Sequence, residues 1–272
     1  MSLQFGATLR LLRTDAGMSL RALAHRIGVS GAYLSRVENG HDAIPTPDRL
    51  VEIARVLGLS PATLLELANR VEPFVAGYLE RVPTAGALFT EIARRGLTPA
   101  QVARIRWFVD SEFPAAAPHG ELGAPSLSSL LAPERVILRL SCTDVEDVID
   151  IGAARLASPG GEVSAPVLAR LIAEREAESS TAIGGGVAVP HAVVRDAAPR
   201  AALVTLARPL DTPTPDGVPL RVFLLLVLGS GSAFHLAVLA KAARLAASGM
   251  GETLAKARSA EQALRAIEAE GL

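Results

Sequence analysis

Arg175-Glu176-Ala177-Glu178-Ser179-Ser180-Thr181-Ala182-Ile183-Gly184-Gly185-Gly186-Val187-Ala188-Val189-Pro190-His191-Ala192 is the stretch that decides how the rest of the chain is read. It brings a guanidinium, a flexible backbone and an imidazole into one short segment. Gly184, Gly185 and Gly186 let the chain turn tightly and aim N–H groups at an anion, which makes them candidate phosphate binders together with the Thr181 hydroxyl. Val187 to Val189 reads as a short buried strand that delivers Pro190 and His191 to its end. A free imidazole nitrogen placed there is a nucleophile for phosphorus, and Arg175 can clamp phosphate oxygens through two parallel hydrogen bonds. A glycine turn and one histidine also occur in plain loops, so the assignment needs support from elsewhere in the chain.

That support comes from three separated blocks. Leu127-Ser128-Ser129-Leu130-Leu131 with Pro133-Glu134-Arg135-Val136-Ile137 forms the first, and the quoted stretch, densest at Arg175-Glu176, Ser180-Thr181, Ile183-Gly184 and Gly186 to His191, forms the second. His235-Leu236 with Leu239, Arg244 and Leu245 forms the third. In this order they make residues 126–272 resemble the enzyme IIA domain of the bacterial phosphotransferase system, in its mannitol, fructose and nitrogen-regulatory class. The resemblance implies that His191 is the phosphoacceptor, with His235 and Arg175 as partners that bind or orient the phosphoryl group. It also implies a histidine-phosphocarrier protein as donor. The residue after the phosphoacceptor is usually Gly in that family and is Ala192 here. If the backbone there has a positive φ, Ala strains it by about 1 kcal/mol.

With 272 residues the chain has room for about two ordinary domains, each with a core of its own. Its longest apolar run, Val222 to Leu228, is far shorter than the roughly 18–20 residues that span a bilayer. The N-terminus lacks the pattern of an export signal, so the expected location is the cytoplasm and no membrane partner is expected. A single cysteine, Cys142, excludes an internal disulfide framework and a cysteine zinc site; it reads as a small core filler. The net charge of −1 says nothing for nucleic-acid binding, so local pattern must carry that case.

The local pattern is strong at the N-terminus. Gly17 precedes Ser19, Gly28 precedes Ser30, Gly40 precedes Thr46-Pro47 and Gly58 precedes Ser60-Pro61. Each pair reads as the end of one helix and the capped start of the next, which predicts five short helices by about residue 70. Two of them, Ser19 to Ile27 and Ser30 to Asn39, are joined through Gly28-Val29 with the tight turn of a helix-turn-helix. In a helix starting at Ser30, Leu34 and Val37 face the core, leaving Gly31, Ala32, Tyr33, Ser35 and Arg36 toward solvent or a DNA groove.

Arg21-Ala22-Leu23-Ala24 followed by Gly28-Val29-Ser30-Gly31-Ala32-Tyr33-Leu34-Ser35-Arg36-Val37-Glu38-Asn39-Gly40 resembles the Cro and phage-repressor, or Xre, type of DNA-binding domain over residues 6–70. Ser30, Tyr33, Ser35 and Arg36 can reach base edges or phosphates, and Arg21 can grip the backbone. The family often has Gln at the first positions of both helices, where Leu20 and Gly31 stand here. Arg10, Arg13 and Arg26 read equally well as ordinary solvated surface. One such unit on one half-site buries too little for tight specific binding, so a double-stranded operator and a homodimer are expected.

The fold class expected from these readings is multidomain. An all-α, lambda-repressor-like helix-turn-helix domain occupies residues 1–72, a helical connector with a Pro, Ala and Gly linker 73–125, and an α/β sandwich with a mixed sheet 126–272. In the connector, Thr98-Pro99 is a helix start, and Val102, Ile105, Trp107 and Phe108 are apolar contacts of either an extended first core or a dimer helix. Pro114 to Pro125 reads as linker, with His119 a solvated loop residue. Beyond it come a strand Val136 to Leu140, a helix to about Leu156 started by a Thr143–Glu146 capping box, and helices Ala165 to Glu176, His235 to Ala247 and Ala260 to Glu268. They alternate with strands Leu203 to Arg208 and Val222 to Leu228, the latter apolar throughout and therefore central. His235 opens a helix, where it can be a mere cap or a functional partner of His191.

Three functions fit this composition. The first is a transcription regulator whose C-terminal domain takes a phosphoryl group on His191. The second is a regulator with a degenerate enzyme IIA-like domain used for dimerisation or ligand sensing. The third, a metabolic carrier, needs an enzyme IIB acceptor that this sequence does not contain, so the phosphoacceptor domain reads as part of a regulator and not as a free-standing enzyme. No cofactor is implied. A metal hydrolase lacks support, since His191 and His235 have no ligand-spaced third residue.

Overall fold

The computed structural model describes residues 2–68, 78–79, 81–112, 126–157, 163–195, 197–229 and 232–270. The linker Pro114 to Pro125, with His119, and the boundary near residue 72 lie outside them.

Five helices build the N-terminal domain: α1 (Ser2–Asp15), α2 (Leu20–Arg26), α3 (Gly31–Glu38), α4 (Pro47–Leu57) and α5 (Pro61–Leu67). The punctuation predicted from sequence acts as expected at Ser19, Ser30 and Ser60, whereas Thr46 precedes α4 without a side-chain cap bond. Ser19 and Ser30 lie in extended backbone and accept the N–H groups of Ala22 and Tyr33, each at 3.1 Å, so α2 and α3 start one residue after them. Between these helices Gly28 has φ +65°, the left-handed conformation that lets the chain turn within two residues. Leu23, Leu34, Val37, Leu50, Ile53 and Leu64 are fully buried and hold the five helices together.

Among the described residues of the connector lie the helices α6 (Pro83–Arg95) and α7 (Pro99–Glu112). They do not extend the first core. Leu88, Phe89, Val102, Phe108 and Trp107 are exposed, Trp107 to 72%, so Val102, Trp107 and Phe108 are not buried in the core of the N-terminal domain.

The C-terminal domain contains a short helix α8 (Leu127–Leu130), a 3-10 turn Pro133–Arg135 and β1 (Val136–Leu140), then α9 (Val145–Leu156) and α10 (Ala165–Glu178). Short strands β2 (Ala182–Gly184), β3 (Val187–Ala188) and β4 (His191–Val193) precede the long strands β5 (Arg200–Leu210) and β6 (Leu220–Leu228). Helices α11 (Ser232–Ala247), α12 (Met250–Ala255) and α13 (Ala260–Ala269) close the domain. The sheet runs β1-β5-β6-β3-β2, with β4 also paired to β6. The β1–β5, β3–β6 and β4–β6 pairs are parallel, whereas β2–β3 and β5–β6 are antiparallel, so the sheet is mixed.

Strand β6 is central and covered on both faces. Its alternate residues divide between two cores: Phe223, Leu225 and Val227 pack with α9 and α10, while Val222, Leu224, Leu226 and Leu228 pack toward α11 to α13. The second of these cores does not stop at the domain boundary. It is continuous with the apolar core of the N-terminal domain, because α1 lies against β2 and α11, and α5 also lies against α11.

Three expectations need correction. Helix α9 is capped by Asp144, whose carboxylate accepts the Asp147 N–H at 2.9 Å, and not by a Thr143–Glu146 box; Asp is as good a cap as Thr and stands one residue nearer the helix. Asp147 in turn accepts from Thr143 N–H at 2.9 Å. Helix α11 begins at Ser232, which places His235 inside its first turns and removes the reading of His235 as a mere cap. His191 opens β4, so a strand follows it as well as precedes it.

Candidate functional site

Helix α10 supplies Arg175 near its C-terminal end, β4 supplies His191 from its first residue, and α11 supplies His235. The structure brings these three sequence-predicted residues to one point. Both histidines are buried, at 1% and 6% exposure, and the Arg175 side chain is 13% exposed.

Their common partner is Asp15, the last residue of α1 in the N-terminal domain. Arg175 donates from Nε to Asp15 Oδ1 at 3.1 Å and from Nη2 to Oδ2 at 2.7 Å, the two-pronged grip that suits a planar carboxylate or a phosphate. His191 Nε2 lies 2.7 Å from Oδ1 of the same carboxylate. His235 Nε2 donates to the Asp15 backbone carbonyl at 3.0 Å, satisfying an acceptor that the end of α1 leaves open. Burial pushes the Asp15 carboxyl up, but hydrogen bonds and charge from His191 and Arg175 outweigh it and bring the pKa from 3.8 to about 2.

The other ring nitrogen of His191 fixes the orientation of the imidazole. Nδ1 lies 2.8 Å from the Val189 carbonyl oxygen, an acceptor, so Nδ1 carries hydrogen and Nε2 is the nitrogen presented to an incoming group. Val189 is itself held, since its N–H donates to the Thr181 carbonyl at 3.1 Å. Thr181 is then tied to Glu176: its N–H donates to Oε1 at 3.0 Å and its hydroxyl to Oε2 at 2.5 Å. Thr181 is therefore fully buried and occupied, and it positions His191 through Val189; the structure gives its hydroxyl no place as a direct phosphate ligand.

Nor does the glycine turn join the cluster. The Gly185 N–H donates to Asp216 Oδ2 at 2.7 Å, and the Gly186 carbonyl accepts from Arg221 and Val222 at 2.9 and 3.1 Å. Gly186 meets β6 at Val222 while His191 meets it at Leu226, four residues further along, or roughly 13 Å at the usual rise of a strand. The positive φ values of Gly184 to Gly186 serve the tight β2–β3 turn instead. Ala192 needs no such conformation. It lies in extended β4, and among the described residues Arg139 is the only non-glycine with positive φ, so Ala192 brings no strain beside the imidazole.

Sequence reading missed Asp15 and Glu176 as parts of the site. Glu176 carries a signal in hindsight, as a charged neighbour of Arg175. Asp15 carries a weaker one, a carboxylate at a helix C-terminus where the helix dipole disfavours it.

In the N-terminal domain, the helix-turn-helix face stands open. Arg21, Ser30, Ala32 and Arg36 are exposed, and Gly31, Tyr33 and Ser35 are half-buried. Ser30 spends its hydroxyl oxygen on the cap, and Ser35 Oγ accepts from Asn39 at 3.3 Å. Arg36 is paired with Asp42 at 2.7 Å, a surface pair weak enough to be exchanged for a phosphate. Arg13 is structural, its guanidinium donating to the buried Glu38 at 2.6 and 2.8 Å. Arg10 also leans on this group and on Asn39.

Residues 4–67 match a family described as a helix-turn-helix domain, and residues 129–270 match the phosphoenolpyruvate-dependent sugar phosphotransferase system EIIA 2 family. A nitrogen regulatory protein of Bradyrhizobium diazoefficiens is 35% identical over 121 residues, which is 44% of this chain and 78% of that protein. An HTH-type transcriptional repressor, RghR, of Bacillus subtilis is 35% identical over 83 residues, 30% of this chain and 56% of the repressor. Among solved structures, the nitrogen regulatory protein IIA-Ntr of Neisseria meningitidis aligns with 52% of this chain and 98% of its own, at 22% identity and a TM-score of 0.48.

Proposed function

The chain belongs to the phosphoenolpyruvate-dependent sugar phosphotransferase system EIIA 2 family and is a helix-turn-helix transcription regulator fused to that domain, and from this premise we propose that His191 accepts a phosphoryl group which controls DNA binding. The observation that carries the reading is the convergence of Arg175, His191 and His235 on one residue, the first two on the Asp15 carboxylate and the third on its backbone carbonyl. An oriented Nε2, a guanidinium for two oxygens and a second imidazole N–H are what in-line transfer from a phosphohistidine asks of an acceptor. Nε2 forms the new bond to phosphorus with its lone pair, the donor N–P bond breaks, and its electron pair returns to the donor imidazole, which takes the matching proton from solvent. The expected donor is a histidine-phosphocarrier protein. A doubly charged group then stands on the ring, enough to alter a domain contact.

DNA binding falls to Arg21, Ser30, Gly31, Ala32, Tyr33, Ser35 and Arg36, on a double-stranded operator read by two copies of the chain. The exposed Leu88, Phe89 and Trp107 of α6 and α7 support a homodimer formed through the connector, whose partner is a second copy. No described helix is long and apolar enough to cross a membrane; the site of action that a DNA-binding role asks for is the cytoplasm.

Incubation with phosphoenolpyruvate, enzyme I and histidine-phosphocarrier protein tests the acceptor: label is expected on the wild type and absent from His191→Ala. Label that persists in the variant overturns the assignment. A second reading, a degenerate domain that never takes phosphate, is favoured by one observation, namely that the cluster is already filled by Asp15. Absence of label under conditions that label an authentic enzyme IIA would select it.

A further inference from the structure

We propose that the Asp15 carboxylate is a built-in stand-in for the phosphoryl group of His191, so that docking of the DNA-binding domain and phosphorylation exclude each other. The inference rests on the phosphoacceptor reading above and adds what the phosphoryl group displaces.

The contacts of Asp15 are those a phosphoryl group would claim. Its two oxygens take both prongs of Arg175, and Oδ1 sits 2.7 Å from the nitrogen that would bond to phosphorus. A covalently attached phosphorus must stand closer to Nε2 than that, with its oxygens in the space the carboxylate now fills. Charge forbids sharing as well, because a phosphoryl group would face Asp15 across a buried gap. Val189 O and Asp15 Oδ1 are both acceptors, so the docked geometry is satisfied with hydrogen on both ring nitrogens and leaves Nε2 no lone pair for attack. For transfer to occur, Asp15 must leave and Nε2 must lose that proton to solvent. Nε2 then attacks phosphorus, and the donor's leaving group departs with the electrons of the broken bond.

Independent features show a surface shaped to receive α1. A Cβ added to Gly184 would fall 2.5 Å from Gln4 Cγ, and one added to Gly185 would fall 3.2 Å from Gln4 Nε2, so the glycine turn makes room for the start of the helix. Gln4 and Asp15 are eleven residues apart, about 16 Å along a helix, close to the roughly 13 Å that separates the glycine turn from His191 along β6. Helix α1 is thus gripped at its first turns by the β2–β3 turn and at its last by the phosphoacceptor cluster. Asp15 is also at the wrong end of α1 for the helix dipole, and Arg175 supplies the compensating charge. Docking leaves Arg21, Ser30, Ala32 and Arg36 exposed, so release changes the placement of the reading helix and not its accessibility. In a dimer, placement sets the spacing of the two half-site readers.

The test uses the full chain with Cys142→Ser and spin labels at Arg26→Cys and Arg170→Cys, both exposed and one on each domain. Potassium phosphoramidate serves as donor, so that a mismatched carrier protein cannot mask the result. Expected are a short, narrow distance in the untreated wild type, a longer and broader one after phosphorylation, and the same open distribution in Asp15→Asn and Asp15→Ala without donor. Both variants should also accept phosphate roughly tenfold faster or more, since no charge-assisted contact has to be displaced first. His191→Ala should show no change on adding donor. Equal phosphorylation rates for wild type and variants with an unchanged distance would overturn the stand-in role and leave the phosphoacceptor intact. If neither the wild type nor the variants take up phosphate, the phosphoacceptor reading itself fails and this proposal falls with it.

Discussion

At the scale of single residues, the site is a set of groups that hold one imbalanced charge each and balance only together. The Asp15 carboxyl, at about 2 when docked against 3.8 when free, ties domain contact to pH. Because the docked pKa is the lower one, its contribution is fully present above about pH 4 and is lost as pH falls toward 2, amounting to about 2 kcal/mol. Spin-label distances in the unphosphorylated chain should therefore stay short from pH 7 to about pH 4.5 and lengthen below about pH 3.5. Glu176 works behind the imidazole. Glu176→Ala leaves the buried Thr181 N–H and hydroxyl without their acceptor, which should destabilise the domain by about 2 kcal/mol in urea unfolding and slow phosphorylation of His191. Glu176→Gln, which retains an acceptor, should recover most of the stability. Ala192→Gly, by contrast, should leave phosphorylation unchanged and weaken the fold by about 0.5–1 kcal/mol, because extended β4 has no use for the freedom that Gly restores.

At the scale of elements, packing overrules local preference in two places. Gly152 in the middle of α9 should favour Ala on helix propensity by about 1 kcal/mol. A Cβ there, however, would fall 2.4 Å from Leu225 Cδ2, in the part of β6 that is buried on both faces. Overpacking at such a contact usually destabilises by about 1–3 kcal/mol, so Gly152→Ala should lower the stability of the domain, read as a drop in denaturation midpoint. In the N-terminal domain, α1 and α3 are joined by Arg13 and the buried Glu38. Glu38→Ala leaves the Arg13 charge unpaired in a mostly buried place and should cost about 3 kcal/mol. Arg13 therefore belongs to the support of the recognition helix, neither a DNA contact nor solvated surface, and periodicity leaves these open because each puts an arginine at the rim of a helix.

At the scale of the whole molecule, α6 and α7 place exposed Trp107, Leu88 and Phe89 between two well-packed domains. Trp107→Glu should weaken self-association by roughly tenfold or more in analytical ultracentrifugation while leaving each domain folded, since charged groups are strongly disfavoured at the centre of an apolar interface. The sequence by itself determined the two domains and most of their elements: serine caps start α2, α3 and α5, glycines follow α2, α3 and α4, unbroken apolar character put β6 at the centre of the sheet, and three ordered motif blocks named Arg175, His191 and His235. Such features are local, or repeat with the period of one helix or strand, so they can be read along the chain. Only the tertiary structure decided that the glycine turn receives α1, and that Asp15 closes the cluster of Arg175, His191 and His235 from 176 residues away. A contact between surfaces of two domains leaves no periodicity in either, and the charge that completes a buried site becomes visible only once the chain has folded around it.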